Sequence, residues 1–144
     1  MRGIVAATPL LTRPEQHLYG RLVRAFPGHV ILAQVALSRL LVVDPSASVA
    51  DAERSTKGYR QLVADFVVCR PDFTALAVVE VDEGGKPRDA QREKHRRKDQ
   101  LLQAAGIKVV RVAAADIPNE LALKALVAAL PLNSSAAQVM RRAS

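Results

Sequence analysis

The chain has 144 residues, of which 49% are hydrophobic and 3% aromatic, and its formal net charge is +7. This length and apolar content fit one folded domain with an aliphatic core, and they exclude a chain that is disordered throughout. The positive charge favours a polyanionic partner such as nucleic acid, whereas a basic surface with no partner is the alternative.

The cysteine and histidine content indicates which stabilising sites and which cell compartment fit the chain. The single cysteine, Cys69, excludes an internal disulfide framework and fits a reducing compartment. Three scattered histidines and no pair of nearby cysteines give no support for a zinc site of usual spacing. No apolar run has the length of a membrane span, and the N-terminal run is too short for a signal peptide. We therefore expect a cytoplasmic protein without a membrane partner, and its oligomeric state stays open.

The chain divides into three parts. Residues 1–11 read as a lead-in, residues 12–130 as the folded domain, and residues 131–144 as a basic flexible tail. Within the domain, residues 44–58 mix Pro, Ser and charged residues without stable periodicity, which indicates a mobile surface loop.

The first half of the domain begins with a helix. Thr12, Pro14 and Glu15 have the spacing of a helix start with a capping box, and Pro27-Gly28 ends the helix. Glu15 is read as the capping acid, with a helper role in an active site as the minority alternative. Residues 29–37 then predict a strand, followed by a helical turn at 38–42. Gln34 interrupts this strand's apolar residues and is a second possible helper.

Two strands and their connection form the centre of the pattern. Residues 59–69 and 75–82 predict strands of a hairpin, and their continuous apolar runs indicate a sheet covered on both faces. A helix over residues 88–105 follows, with Gly106 at its C-terminal end. A fourth strand at 107–113 and a last helix at 120–130, capped by Asp116 or Asn119, complete the domain.

The helix over 88–105 changes character along its length. Leu101, Leu102 and Ala105 form its core stripe, but at spacings of three and four the stripe continues into Lys98 and Lys94. The basic half must therefore face solvent or a cluster of acids.

Three acids lie on or beside the central strands. Asp65 precedes Phe66-Val67-Val68, and Glu80 and Asp82 end the following strand on one face, since strand side chains alternate. A buried carboxylate is costly unless a cation or hydrogen bonds compensate it. Either a metal ion binds here, with Arg111 as a third possible helper, or Arg111 and Lys98 neutralise the acids permanently as a structural salt-bridge core.

Six fragments of the chain follow one another at characteristic spacing. They are Leu11-Thr12-x-x-Glu15, Ala33-Gln34-Val35, Asp65-Phe66-Val67, Glu80-Val81-Asp82-Glu83, Arg97-Lys98-Asp99 and Ala105-Gly106-Ile107-x-x-x-Arg111. In this order the chain resembles the bacterial family known as domain of unknown function 2726, within the PD-(D/E)XK, or restriction-endonuclease-like, superfamily and near the very-short-patch-repair-like endonucleases. The resemblance implies an α/β fold: an αβββαβ core whose mixed four-stranded sheet is flanked by helices.

The resemblance also implies a site. The superfamily has an acid on one strand and acid-x-Lys on the next, all facing a divalent metal, but here Asp82 stands where the lysine belongs. The His that follows in the very-short-patch branch appears as Lys86 or is missing. Asp65, Glu80 and the Val81 backbone carbonyl offer the oxygen ligands that Mg²⁺ or Mn²⁺ prefers. A cationic side chain would come from Lys98 or Lys86, and Asp82 would assist as a ligand or as an acceptor that orients a cation.

These features together predict a metal-dependent nuclease-like domain that hydrolyses or binds nucleic acid, with duplex DNA favoured. Phosphate contacts are expected from four residues of the basic helix, which are Arg92, Lys94, Arg96 and Arg97. The scarcity of aromatic residues argues against single-strand binding. Two alternatives stay open: a catalytically inactive DNA-binding module of the same fold, and a protein-interaction domain whose basic helix meets an acidic partner.

Overall fold

The structure is a computed structural model that describes residues 3–129. A short 3₁₀ turn at Tyr59–Gln61 precedes the second strand, which begins at Val63. The helices and strands are, in chain order, α1 (Arg13–Ala25), β1 (Val30–Ala36), α2 (Leu37–Leu40), α3 (Val49–Thr56), β2 (Val63–Cys69), β3 (Ala75–Asp82), α4 (Asp89–Ala104), β4 (Lys108–Ala113) and α5 (Glu120–Ala129).

The four strands form one mixed sheet in the order β1-β2-β3-β4. The β1–β2 and β2–β3 pairs are antiparallel, whereas β3 and β4 are parallel. A parallel pair needs a crossover connection, and α4 supplies it. The predicted α/β class, mixed four-stranded sheet and β2–β3 hairpin are therefore confirmed.

Both faces of the sheet are covered, as the apolar runs predicted. On one face Leu18 and Leu22 of α1 and Leu123 of α5 pack with Phe66 and Val79. On the other face Leu102 of α4 and Leu37 of α2 pack with Val67 and Val78. The alternation of these positions along β2 and β3 sends Glu80 and Asp82 to the α4 face.

The start of α1 is the predicted capping box. The Thr12 N–H donates to Glu15 Oε1 at 2.8 Å, and the Glu15 N–H donates to Thr12 Oγ1 at 3.4 Å. At the other end of the domain, Asn119 Oδ1 accepts a hydrogen bond from the Ala122 N–H at 2.8 Å. Of the two predicted caps for α5, Asn119 and not Asp116 therefore makes the capping bond.

The prediction of a loop without secondary structure over residues 44–58 is wrong for Val49–Thr56, which form α3. Ser48 caps this helix, since its Oγ accepts a hydrogen bond from the Asp51 N–H at 3.1 Å. No residue of α3 is buried. Its one large apolar side chain, Val49, is exposed, so the helix lacks the buried apolar stripe by which a helix is recognised.

Two smaller details also differ from the predictions. The second strand begins at Val63 rather than at residue 59, because the 3₁₀ turn occupies Tyr59–Gln61. Ala105 is exposed and does not belong to the core stripe, in which Leu102 is the fully buried residue. The predicted tail at 131–144 lies outside the described residues. None of the helices in the described part of the chain is long and apolar enough to cross a membrane.

Candidate active site

The structure gathers the acids of the two central strands around one cavity. Glu80 lies opposite Arg111 in the parallel β3–β4 pair, and Asp65 precedes Phe66, which pairs with Val79. A cavity of about 180 Å³ opens between these strands and α4. It is lined by Asp65, Glu80, Val81, Asp82, His95, Lys98 and Arg111.

Glu80 is the buried acid of this cavity, with 4% of its surface exposed. Its Oε2 accepts a hydrogen bond from the Asp65 N–H at 3.0 Å. The Lys98 ammonium lies 2.5 Å from Oε1 as an ion pair, but it donates its hydrogen bond to the Val63 carbonyl at 2.8 Å. Among the described residues Oε1 accepts no hydrogen bond. The Lys98 ammonium is thus the single partner of this buried carboxylate oxygen among the described residues.

Asp65 is held in a reciprocal arrangement with the neighbouring strand. Its Oδ2 accepts a hydrogen bond from the Val81 N–H at 2.9 Å. Each of the two acids is thus fixed by a backbone N–H of the other strand. This cross-strand exchange orients both carboxylates toward the same cavity without requiring a cation.

The electrostatics of Glu80 are unfavourable for a charged carboxylate. Burial, followed by the neighbouring Asp65, raises the pKa of Glu80 from 4.5 to about 7, although Lys98 opposes the shift. The charged form is disfavoured because it is desolvated next to another acid. A cation that binds in the cavity would reverse this shift.

Arg111 does not cap the acids. Its guanidinium forms a bidentate pair with Asp99 of α4, with distances of 2.7 and 2.6 Å. The Asp99 hydrogen bonds, with smaller contributions from Glu80 and Asp82, raise the pKa of Arg111. Of the two cations that were expected to neutralise the acids, only Lys98 therefore contacts one of them.

The remaining predicted residues of the site have unequal outcomes. Asp82 lines the cavity but is exposed, and its Oδ1 accepts a hydrogen bond from the Gly84 N–H at 2.9 Å. Lys86 is exposed, does not line the cavity, and makes no hydrogen bond or ion pair with the described residues. Of the two lysine candidates, the structure thus brings Lys98 to the acids and leaves Lys86 outside.

His95 is the residue of the cavity that sequence reasoning missed. The resemblance places a histidine four residues after Asp82, whereas the structure supplies an imidazole from α4. The signal was available, because His95 precedes Lys98 by three residues and Asp99 by four, so all three share one face of the helix.

Residues 7–130 match the family model described as Protein of unknown function (DUF2726). The chain belongs to this family. No match was found among curated proteins or among solved structures.

Two of the suggested helpers of this DUF2726 chain, Glu15 and Gln34, contact each other instead of the acids of the cavity. The Gln34 amide donates to Glu15 Oε2 at 2.8 Å. Gln34 has a φ of 54°, a left-handed conformation that is uncommon for a residue with a side chain. Neither residue lines the cavity. Their contact fixes the start of α1 against β1, at the position between Ala33 and Val35 where the β1–β2 register has no pair.

The basic residues of α4 are mostly engaged within the protein. Arg92 pairs with Asp89 at 3.2 Å, and Arg96 pairs with Glu93 at 2.6 Å. A further cation, Arg97, donates to the backbone carbonyls of Arg54 and Ser55 at 2.7 Å each. Lys94 is exposed and has no such partner among the described residues. Of the four residues predicted to contact phosphate, three thus have partners within the protein, and only Lys94 has none among the described residues.

The donor chemistry of the cavity fits a hard divalent cation. The described residues contain no group of three or more His, Cys, Asp or Glu side chains arranged to hold a metal ion. Mg²⁺, however, is commonly bound by one or two carboxylates together with water and phosphate oxygens. Asp65 and Glu80, with the Val81 carbonyl, match that requirement. The raised pKa of Glu80, which burial and the neighbouring Asp65 cause, is the feature that such a cation would compensate.

Proposed function

We propose that this DUF2726 chain is a metal-dependent nuclease-like domain of the PD-(D/E)XK type, with a restriction-endonuclease-like core, that hydrolyses phosphodiesters of nucleic acid, duplex DNA being favoured. The observation that carries the proposal is the convergence of Asp65, Glu80 and the Lys98 ammonium on one cavity. Acids from two adjacent strands and a lysine are the groups that the superfamily uses.

The arrangement also offers an account of Asp82, the point at which the chain departs from the superfamily pattern. The superfamily places its lysine two residues after the second acid, where this chain has Asp82. Here α4 brings an ammonium to within 2.5 Å of Glu80 Oε1. Lys98 can therefore fill the role of the lysine that β3 lacks. The order of elements around the sheet, one helix, three strands, the α4 crossover and a fourth strand, supports the same assignment.

The residues of the cavity have distinct parts in the proposed reaction. Asp65, Glu80 and the Val81 carbonyl would hold Mg²⁺, which would polarise the phosphoryl oxygen and acidify an attacking water. Lys98 stabilises the negative charge that develops on the phosphate. Asp82 holds the turn at the mouth of the cavity through Gly84. His95 presents an imidazole that can carry a proton between the cavity and solvent.

A second candidate is a catalytically inactive DNA-binding module of the same fold. One observation favours it: the backbone already satisfies one oxygen of each acid, and Lys98 contacts Glu80 directly. The acids therefore have a stable arrangement without metal. In that case the basic surface would bind nucleic acid while the cavity performs no chemistry.

Calorimetric titration with Mg²⁺ and Mn²⁺ separates the two candidates. We expect the wild-type protein to bind the ions and the Asp65→Asn/Glu80→Gln double variant to lose this binding, because the variant removes both anionic ligands. Asp72→Asn is the matched control, since Asp72 is an exposed acid in the β2–β3 turn, bonded to the Thr74 N–H. Wild-type protein that takes up neither ion, or a double variant that binds as well as Asp72→Asn, contradicts the nuclease proposal. Retained DNA affinity in that case favours the inactive module.

A further inference from the structure

A second cavity, of about 370 Å³, lies beside the candidate active site on α4. Glu93, Lys94 and Arg97 line it from α4, and Lys57, Gln61 and Leu62 line it from the segment that follows α3. We call it the Lys57–Lys94 cleft. The segment continues directly into Val63, whose carbonyl accepts the Lys98 hydrogen bond. The helix α4 and the segment between α3 and β2 therefore lie beside both the cleft and the active-site cavity.

The charge of this cleft is unbalanced. Its one acid, Glu93, is engaged by Arg96, whose hydrogen bonds lower the pKa of Glu93. Lys57 and Lys94 are both exposed, and neither makes a hydrogen bond or an ion pair with another described residue. Two uncompensated ammonium groups thus face one concave surface, which is the chemistry of an anion site.

Arg97 holds the end of α3, the backbone segment that carries Lys57. Its guanidinium donates to the carbonyls of Arg54 and Ser55 in the last turn of α3, at 2.7 Å each. These are carbonyls at a helix end, where no intrahelical partner is available. Lys57 follows as the C-cap of α3. Arg97 therefore acts through the backbone, and the cations left for a ligand are Lys57 and Lys94.

We infer that the Lys57–Lys94 cleft binds a backbone phosphate of the same nucleic-acid strand whose neighbouring phosphate occupies the active-site cavity. This inference rests on the proposed function of that cavity. Lys94 and Lys98 are four residues apart on α4, about 6 Å between their Cβ atoms. A strand advances about 3.4 Å along the helix axis per nucleotide. The two lysines are therefore spaced to contact phosphates one or two nucleotides apart.

The inference changes which residues are expected to contact phosphate. Arg92 and Arg96 are paired with acids of their own helix. The cleft instead adds Lys57, which lies outside α4 and was not among the expected contacts. A lysine that contacts phosphate contributes affinity for any sequence, together with a dependence on salt concentration.

The test measures affinity of the full chain for a fluorescent DNA duplex, for its single strand and for polyglutamate, as a function of salt, with Ca²⁺ in place of Mg²⁺. We expect Lys57→Gln/Lys94→Gln to weaken duplex binding roughly tenfold or more and to lower the salt slope by about two. Arg70→Gln/Lys124→Gln is the matched control. It makes the same change in charge in another cleft, beside the end of β2 and the start of β4. Thermal denaturation checks that both variants fold.

Three results overturn the inference: no duplex binding by the wild type, equal losses in the two double variants, or binding of polyglutamate with the same dependence on Lys57 and Lys94. The last would assign the cleft to an acidic protein. Cleavage in Mg²⁺ is measured in parallel, so the two proposals fail separately. A chain that never cleaves but needs Lys57 and Lys94 to bind supports the cleft and contradicts the nuclease. A chain that cleaves equally well without these lysines supports the nuclease and contradicts the cleft.

Discussion

Replacing Lys98 with methionine is expected to slow phosphodiester cleavage by about 100- to 1,000-fold, the usual cost of removing one group that stabilises charge in the transition state. At about pH 9, where Glu80 is charged in the wild type, the same change is expected to destabilise the fold by about 2–3 kcal/mol, because Glu80 must then take up a proton or stay charged without its cation. Lys98 lies 2.5 Å from Glu80 Oε1, and its side chain is 12% exposed. Single-turnover cleavage and urea denaturation measure the two effects.

Two variants sharpen this test. Lys86→Met is the matched control, since Lys86 is exposed and does not line the cavity, and it should leave both quantities unchanged. The Glu80→Gln/Lys98→Met double variant should recover most of the lost stability, because it removes the buried charge together with its partner, but no activity. A Lys98→Met protein that cleaves at the wild-type rate, or an equal loss in Lys86→Met, would show that Lys98 is not the catalytic cation.

The second large effect is a loss of stability with rising pH. The pKa of Glu80 rises from 4.5 to about 7 on folding, mainly through burial. Between these values the native state holds a proton that the unfolded chain has released, so the free energy of unfolding falls as pH rises through this window. The full shift corresponds to about 3 kcal/mol. Above about pH 7 this contribution is lost completely and the dependence on Glu80 ends.

The measurement is the difference in the free energy of unfolding between wild type and Glu80→Gln, in chelator, across this pH range. Taking the difference removes the titration of other groups. We expect wild type alone to lose the additional stability. Mg²⁺ should then stabilise wild type more at about pH 8 than at about pH 5, because a bound cation favours the charged carboxylate. Parallel pH curves for the two proteins would mean that Glu80 keeps an ordinary pKa.

The central strands could be predicted closely because the information is local. Residues 75–82 form β3 as expected, and the two-residue spacing of Glu80 and Asp82 put both at the cavity. The capping box at Thr12 and Glu15 was equally readable. The stripe of α4 identified Lys98 because its helical phase relative to Leu101 and Leu102 is fixed by geometry.

Contacts between distant segments could not be read from the sequence in the same way. The α3 helix has no buried residue, and its end is held by Arg97, more than 40 positions later. The residues around Arg111 in the sequence do not show whether it pairs with Asp99 or caps the acids. Its role as a helper or as a neutralising cation therefore stays open until the fold is known. His95 was overlooked because the helical phase was followed backwards to Lys94, at a spacing of four, and not also at a spacing of three.

The most direct test of the central claim is cleavage of an end-labelled DNA duplex by wild type and Asp65→Asn, in Mg²⁺, in Mn²⁺ and in chelator. The account predicts metal-dependent products from wild type, none in chelator, and at least about a 1,000-fold lower rate in Asp65→Asn, because a metal ligand is lost. A folded wild-type protein that produces no cleavage with either ion, or an Asp65→Asn variant that cleaves as fast as wild type, would contradict it.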